Sequence, residues 1–270
     1  MNFKLIKKLS EVAGPSGFED RTRDLITKEI SSYVDKISVD NMGNLIAFRK
    51  GQSDKKMMIA AHMDEIGFIV THIDDNGFLK FTTLGGFDPK TLTAQRVIVH
   101  GKKDIIGVMG AKPIHVMTAE ERDKKVTVKD FFIDLGMEKT EVEKIVEIGT
   151  PISRERECIE MGDCINGKSL DNRISVYILI EVIKKLHEKE LPFDTYFTFT
   201  VQEEVGLRGA QVAALNSQPD VAVALDTTIA YDVPGSTPQE QITKLGAGPG
   251  IKIMDSSVIC NTKFVSFMKY

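Results

Sequence analysis

The chain has no tryptophan, only 7% aromatic residues, three cysteines and five histidines in 270 residues. Each scarcity excludes something. Sugar rings are commonly held on aromatic faces, so a carbohydrate-binding cleft is disfavoured even though paired carboxylates also serve glycoside hydrolysis. Cys158, Cys164 and Cys260 are odd in number and form no C-x-x-C, which argues against a disulfide framework and a zinc knuckle. Acidic residues (39) slightly outnumber basic ones (35), the formal charge is -4, and no basic block stands out, so no nucleic-acid surface is expected. No apolar run approaches the ~18 residues of a bilayer span, and MNFKLIKKLSEVAG lacks the apolar core of a secretion signal. The expectation is a soluble cytoplasmic protein with no membrane partner.

What is present is patterned. Leu5, Ile6 and Leu9 share one helical face, Gly14-Pro15-Ser16-Gly17 breaks the chain, and a second helical run covers Phe18 to Tyr33. Three β-like runs follow, KISVD, NLIAFRK and KKMMIAAH, of which the third is the most apolar and is read as the most central. From Glu65 to about Met161 the texture becomes closely spaced strands (FIVTHI, FLKFTTL, QRVIVHG, DIIGVMG), with a helix expected only over Val128 to Ile145. Then DNRISVYILIEVIKKLHEK reads as a helix, DTYFTFTV a strand, GLRGAQVAALNS a helix and VAVALD a strand. That alternation is α/β, a mixed sheet flanked by helices and interrupted by an all-β module. The boundaries are 1–65 and 162–270 for the α/β domain and 66–161 for the module. A G-x-x-G at Gly206 to Gly209 lacks the spacing of a dinucleotide site.

Three apolar strands end in chemistry. MMIAAH runs into His62-x-Asp64, YFTFTV into Glu203-Glu204, and VAVAL into Asp226, while Asp171 precedes the long helix. Ligands of open α/β sheets bind beyond the carboxyl ends of the strands, so these side chains should meet at one rim. Singly, each has an ordinary reading: Asp171 an N-cap, Asp226 a turn residue, Glu204 solvated surface, His62 a hydrogen-bonded core histidine. Together they form an acid cluster that cannot stay ionised in a low-dielectric cleft without a cation. One or two divalent ions remove that conflict, and imidazole with carboxylates suits zinc, cobalt or manganese. Glu203 and Glu204 are adjacent, so in an extended chain they point to opposite sides. One would bind metal, and the other is free to act as general base.

The segments AAHMDEIGF, GKSLDNR, VQEEVGLRGA and ALDTT resemble the motifs of the dinuclear-metal tetrahedral aminopeptidases, a group that includes glutamyl and deblocking aminopeptidases and proteins labelled cellulase M. The resemblance runs from the first helix to the last residue. It implies a zinc-peptidase-like α/β domain with an inserted β-barrel dimerisation domain, dimers as building blocks of a dodecamer, and removal of N-terminal residues from short peptides. It also implies two divalent ions: His62 and Asp226 on one, Asp171 bridging, and Glu204 on the second, with Glu203 as general base and Asp64 orienting His62. The family's second ion takes a further histidine from a C-terminal segment, whereas this sequence has none after His187 and stops at NTKFVSFMKY. The expectation is an incomplete second site in a truncated chain; the alternative to an active aminopeptidase is a weakly active or inactive homologue that keeps the fold. His72, His100 and His115 are expected in structural or exposed roles, and VPGSTPQEQITKLGAGPG as a surface loop.

Overall fold

The structure, a computed structural model, describes residues 1–269. The chain divides into two compact units, Met1–Asp226 and Thr227–Tyr270. The expected α/β segment 162–270 therefore extends over both. Helix α1 (Phe3–Glu11) starts at Asn2, whose side chain accepts the Leu5 amide, and it buries Leu5, Ile6 and Leu9 as its periodicity requires. Helix α2 (Asp20–Ile30) buries Ile26 and Ile30. Strands β1 (Lys36–Val39), β2 (Leu45–Arg49) and β3 (Lys56–His62) follow.

The middle of the first unit is β-rich: β4 (Gly67–Ile73), β5 (Leu79–Leu84), β6 (Arg96–His100), β7 (Asp104–Ala111), the short helix α3 (Ala119–Asp123), β8 (Phe131–Asp134), the one-turn α4 (Lys139–Val142) and β9 (Pro151–Arg154). These strands close into a barrel in the order β4-β5-β8-β7-β6-β9. Alternate residues fill it, among them Phe68 and Val70, Val97 and Val99, and Phe131 and Ile133. The helix expected over Val128 to Ile145 is not there. Phe131 and Ile133 are buried while Phe132 is not, a period of two, and Asp134 accepts the amide of Gly136, whose φ of +66° ends the strand in a turn. A 3-10 turn at Val128–Asp130 and the turn α4 are what remains of the helical signal.

A hairpin, β10 (Ile159–Met161) with β11 (Cys164–Asn166), leads to α5 (Leu170–Leu186), β12 (Asp194–Thr200), α6 (Arg208–Ser217) and β13 (Val221–Ala224). The sheet order is β1-β2-β12-β3-β13. Among the described residues β12, not β3, is therefore the middle strand. The apolarity of β3 reflects burial on both faces rather than centrality. Helix α5 lies on β3 and β12 with α1 and α2 beside it, covering Ala61, Phe197 and Phe199. On the opposite face Ala213 of α6 packs on Met58 and Ala60.

Among the described residues of the second unit the glycine- and proline-rich stretch is mostly exposed and forms turns without a strand, and helix α7 (Thr262–Met268) is capped by Asn261. No helix among the described residues is long and apolar enough to cross a membrane.

Candidate active site

Strands β3, β12 and β13 run parallel, so their carboxyl ends share one rim. The register does the rest. Thr200 lies opposite His62 and Ala224 opposite Ala60, so two residues further on Asp226 reaches the level of His62. Asp171 arrives from the start of α5, where Asn172 donates to the Leu225 carbonyl at 2.9 Å and ties that turn to the end of β13. Asp171 and Asn172 have non-helical φ/ψ, so the chain kinks within the first turn of α5, and the Asp171–Asn172 peptide is cis.

The four elements bring their side chains together. His62 Nε2 lies 3.2 Å from Asp171, 3.7 Å from Asp226 and 3.8 Å from Glu203. Two groups could each hold a metal ion, His62 with Glu203 and Asp226, and His62 with Asp171 and Glu204; within each, the ligand atoms lie within 4.8 Å of one another. The imidazole is buried, whereas Asp171 and Asp226 reach solvent. The cluster thus opens on one side.

Asp64 is fully buried beneath it and accepts four contacts. Its Oδ1 faces His62 Nδ1 at 3.2 Å and takes the Glu203 amide at 3.0 Å; its Oδ2 takes the Ser16 hydroxyl at 2.6 Å and the Glu204 amide at 3.2 Å. One carboxylate therefore orients the imidazole and fixes the backbone of both glutamates. Here the extended-chain expectation fails. Gln202 has φ +52° and its amide is held by the buried Glu19 at 3.1 Å, so the chain turns after β12 and both Glu203 and Glu204 come to the cluster.

The titration behaviour reports crowding of negative charge. Burial pulls the His62 pKa down, but hydrogen bonds to Asp171 and Asp64 and the field of the neighbouring acids more than reverse this and raise it to about 10. Glu204 is pushed up to about 7, first by burial and then by Asp171 and the other carboxylates. Glu203 is also raised, by burial first and then by Asp226, Asp64 and Asp171 against the opposing His62. A site this acidic favours a cation of any kind, proton or metal.

A further layer escaped the sequence reading. Glu65 is fully buried; Lys168 donates to both of its oxygens at 2.7 Å, Ser169 and the Gly14 amide donate as well, and Arg173 stands 3.8 Å away. Arg173 in turn donates to the carbonyls of Leu9 and Val12. The signal available was a lysine and an arginine flanking Asp171 in GKSLDNR, but nothing in the order of residues pairs them with Glu65. The other histidines lie elsewhere: His72, His115 and His187 are exposed, and the side chain of His100 is buried between Asp104 and Ser153 in the barrel.

The description of M42 glutamyl aminopeptidases matches residues 43–270. The lysyl aminopeptidase of Pyrococcus furiosus is 34% identical over 99% of this chain and 77% of its own length. The crystal structure of a TET aminopeptidase from a marine-sediment Thaumarchaeota archaeon superposes with a TM-score of 0.95 at 39% identity, over 99% of this chain and 76% of that one. The TET1 peptidase of Pyrococcus horikoshii, which can assemble into a tetrahedron or a large octahedral shell, gives 0.77 at 36% identity over 86% and 72%. A family match across most of the sequence, on the fold that puts His62 and its acids at one rim, makes the chain a peptide hydrolase that belongs to the M42 glutamyl aminopeptidase family.

Proposed function

We propose that the chain is a metal-dependent aminopeptidase that removes N-terminal residues from short peptides, with Glu203 as general base. The observation that carries this reading is the pair of His/carboxylate groups sharing His62 at the open end of three parallel strands. Their donor set, one imidazole and hard carboxylate oxygens, fits zinc, cobalt or manganese. His62 and Asp226 would hold one ion, Asp171 would bridge, and Glu204 would serve the second. When bound, divalent ions at such a site supply Lewis acidity that activates water and polarises a carbonyl.

The chain's own residues do the remainder. Glu203 is half-buried and held by its backbone to Asp64, with its pKa above the ordinary carboxylate value, so it can take a proton from water and return it to the leaving amine. Asp64 fixes the imidazole through Nδ1, leaving Nε2 to face the acids. Substituting Glu203→Gln should lower kcat by roughly 10²–10⁴-fold while metal content is kept.

The direct test is hydrolysis of aminoacyl-p-nitroanilides with added zinc, cobalt or manganese, with and without chelator. A chelator-sensitive rate, lost in Glu203→Gln, supports the reading; a rate indifferent to chelation overturns the metal dependence. We also infer that segments 1–65 and 162–270 act as one catalytic domain in a cytoplasmic homo-oligomer, with the barrel of 66–161 as its dimerisation element. The shell described for the Pyrococcus horikoshii relative supports that inference. Native mass spectrometry reads ions per subunit and subunits per particle together; a monomer at micromolar concentration would refute the assembly.

A further inference from the structure

The connector between α1 and α2 holds a buried acid with no part in the hydrolytic cluster. Glu19 stands at the cap position of α2, where serine, threonine, asparagine or aspartate is the usual choice, yet its side chain caps no helix amide. Only 4% exposed, it is turned to another use. One oxygen, Oε1, accepts both the Gly17 amide at 2.7 Å and the Gln202 amide at 3.1 Å. A single buried atom thus joins the N-terminal connector to the turn that carries Glu203 and Glu204.

That turn depends on side-chain acceptors. The ladder between β12 and β3 ends with Thr200 opposite His62, so the amides that follow have no strand partner, and a buried amide left unpaired is costly. Four in succession are met by side-chain oxygens: Val201 by Asn44 at 3.0 Å, Gln202 by Glu19, and Glu203 and Glu204 by Asp64. All three acceptors are buried. The carbonyls of Val201, Gln202 and Glu203 accept the amides of Gly209, Arg208 and Leu207 at the start of α6. Within this frame Gln202 is the weak point. Its φ of +52° is a left-handed conformation that a non-glycine residue keeps only where its surroundings hold it. Glu19 is the group that holds its amide. The same connector reaches the acids behind the cluster, since Gly14 donates its amide to Glu65 and Ser16 its hydroxyl to Asp64.

We propose that Glu19 is a positioning residue of the hydrolytic step: by accepting the Gly17 and Gln202 amides on one oxygen it fixes the turn that aims Glu203 at the cluster, and it acts only through Glu203. The inference rests on the reading of Glu203 as general base. Two substitutions separate this role from a structural one. Glu19→Asp keeps the charge and supplies a favoured helix cap, but its chain is one carbon shorter and cannot span both amides. Glu19→Gln keeps the length and a carbonyl oxygen able to accept both.

Hydrolysis of an aminoacyl-p-nitroanilide with added metal is measured in each variant, alone and combined with Glu203→Gln. In Glu19→Asp, kcat should fall about 10–100-fold while KM changes less than about threefold and bound metal is unchanged, because a small misplacement of the base is felt in the chemical step. Glu19→Gln should recover most of that loss. In the Glu203→Gln background Glu19→Asp should cost less than about twofold more, since its effect passes through the missing base. Glu19→Ser, another favoured cap that reaches neither amide, gives the same reading should Glu19→Asp fold poorly.

Hydrogen exchange of the amides of residues 201–204 reads the anchor without turnover, and it should quicken in Glu19→Asp and not in Glu19→Gln. Quickened exchange in a protein whose parent cleaves nothing supports the anchor and defeats the aminopeptidase reading alone. Unchanged exchange, a kcat equal to the parent's, a loss that extra metal restores or Glu19→Gln does not recover, or an equal loss in the Glu203→Gln background would each overturn the proposal.

Discussion

Replacing Asp64 by asparagine keeps the shape of the side chain and removes its charge, which isolates what the buried carboxylate does. Its two oxygens accept two backbone amides that cannot rotate away, those of Glu203 and Glu204 at 3.0 and 3.2 Å. The amide NH2 of asparagine has to face one of them. Placed at Oδ1, it opposes the Glu203 amide and His62 Nδ1; placed at Oδ2, it opposes the Glu204 amide and Ser16, whose hydroxyl can turn to accept. The second placement is the cheaper one. It still loses a charge-assisted bond, about 1.5–3 kcal/mol, and leaves the Glu204 amide unsatisfied, about 1–3 kcal/mol, for a net loss of about 2.5–6 kcal/mol. Because the same change frees the Glu204 backbone and removes the negative charge behind the imidazole, metal affinity should fall roughly 10–100-fold. Urea denaturation read at the midpoint and metal titration calorimetry measure the two effects. Ser16→Ala is the control, since it removes one donor and should cost only about 1–2 kcal/mol. An Asp64→Asn protein with the parent's midpoint and the parent's metal affinity would refute the reasoning.

Glu65→Gln leaves Lys168, 2% exposed, without its counter-charge and should destabilise by about 3–5 kcal/mol, whereas the joint change to Glu65→Met and Lys168→Met should cost less than the sum of the singles in a double-mutant cycle. Gly209→Ala puts a Cβ 2.3 Å from Asn44 Oδ1 and 2.5 Å from the Val201 carbonyl, so a loss of at least about 1–3 kcal/mol and a lower Tm are expected. Asp104 is held at about 2 chiefly by its bond to Arg21, which links α2 to the barrel. Its folded pKa lies below the unfolded value, so this stabilisation is present above about pH 4 and is lost as pH falls toward 2. Because Asp104 is 41% exposed, screening reduces it to about 1 kcal/mol. Arg21→Gln should flatten the acid limb of the stability curve by that amount, and an unchanged limb would show that the pair contributes nothing.

The order of residues alone determined the local elements. Leu5, Ile6 and Leu9 recur at helical spacing, YFTFT alternates as a strand, and three apolar runs end in His62, Glu203-Glu204 and Asp226, because backbone periodicity decides which side chains share a face whatever the rest of the chain does. Where two local signals competed, periodicity misled: Phe131 to Asp134 belongs to a strand because the barrel supplies partners on both sides, Leu79 opposite Ile133 and Met109 opposite Ile133. Tertiary structure decided the rest. The parallel register set Asp226 level with His62, the turn at Gln202 brought both glutamates inward, and Glu65 met Lys168 across 103 residues of chain. Such pairings depend on which strands lie side by side and on what a buried charge finds opposite it, and neither is a property of any short stretch of sequence.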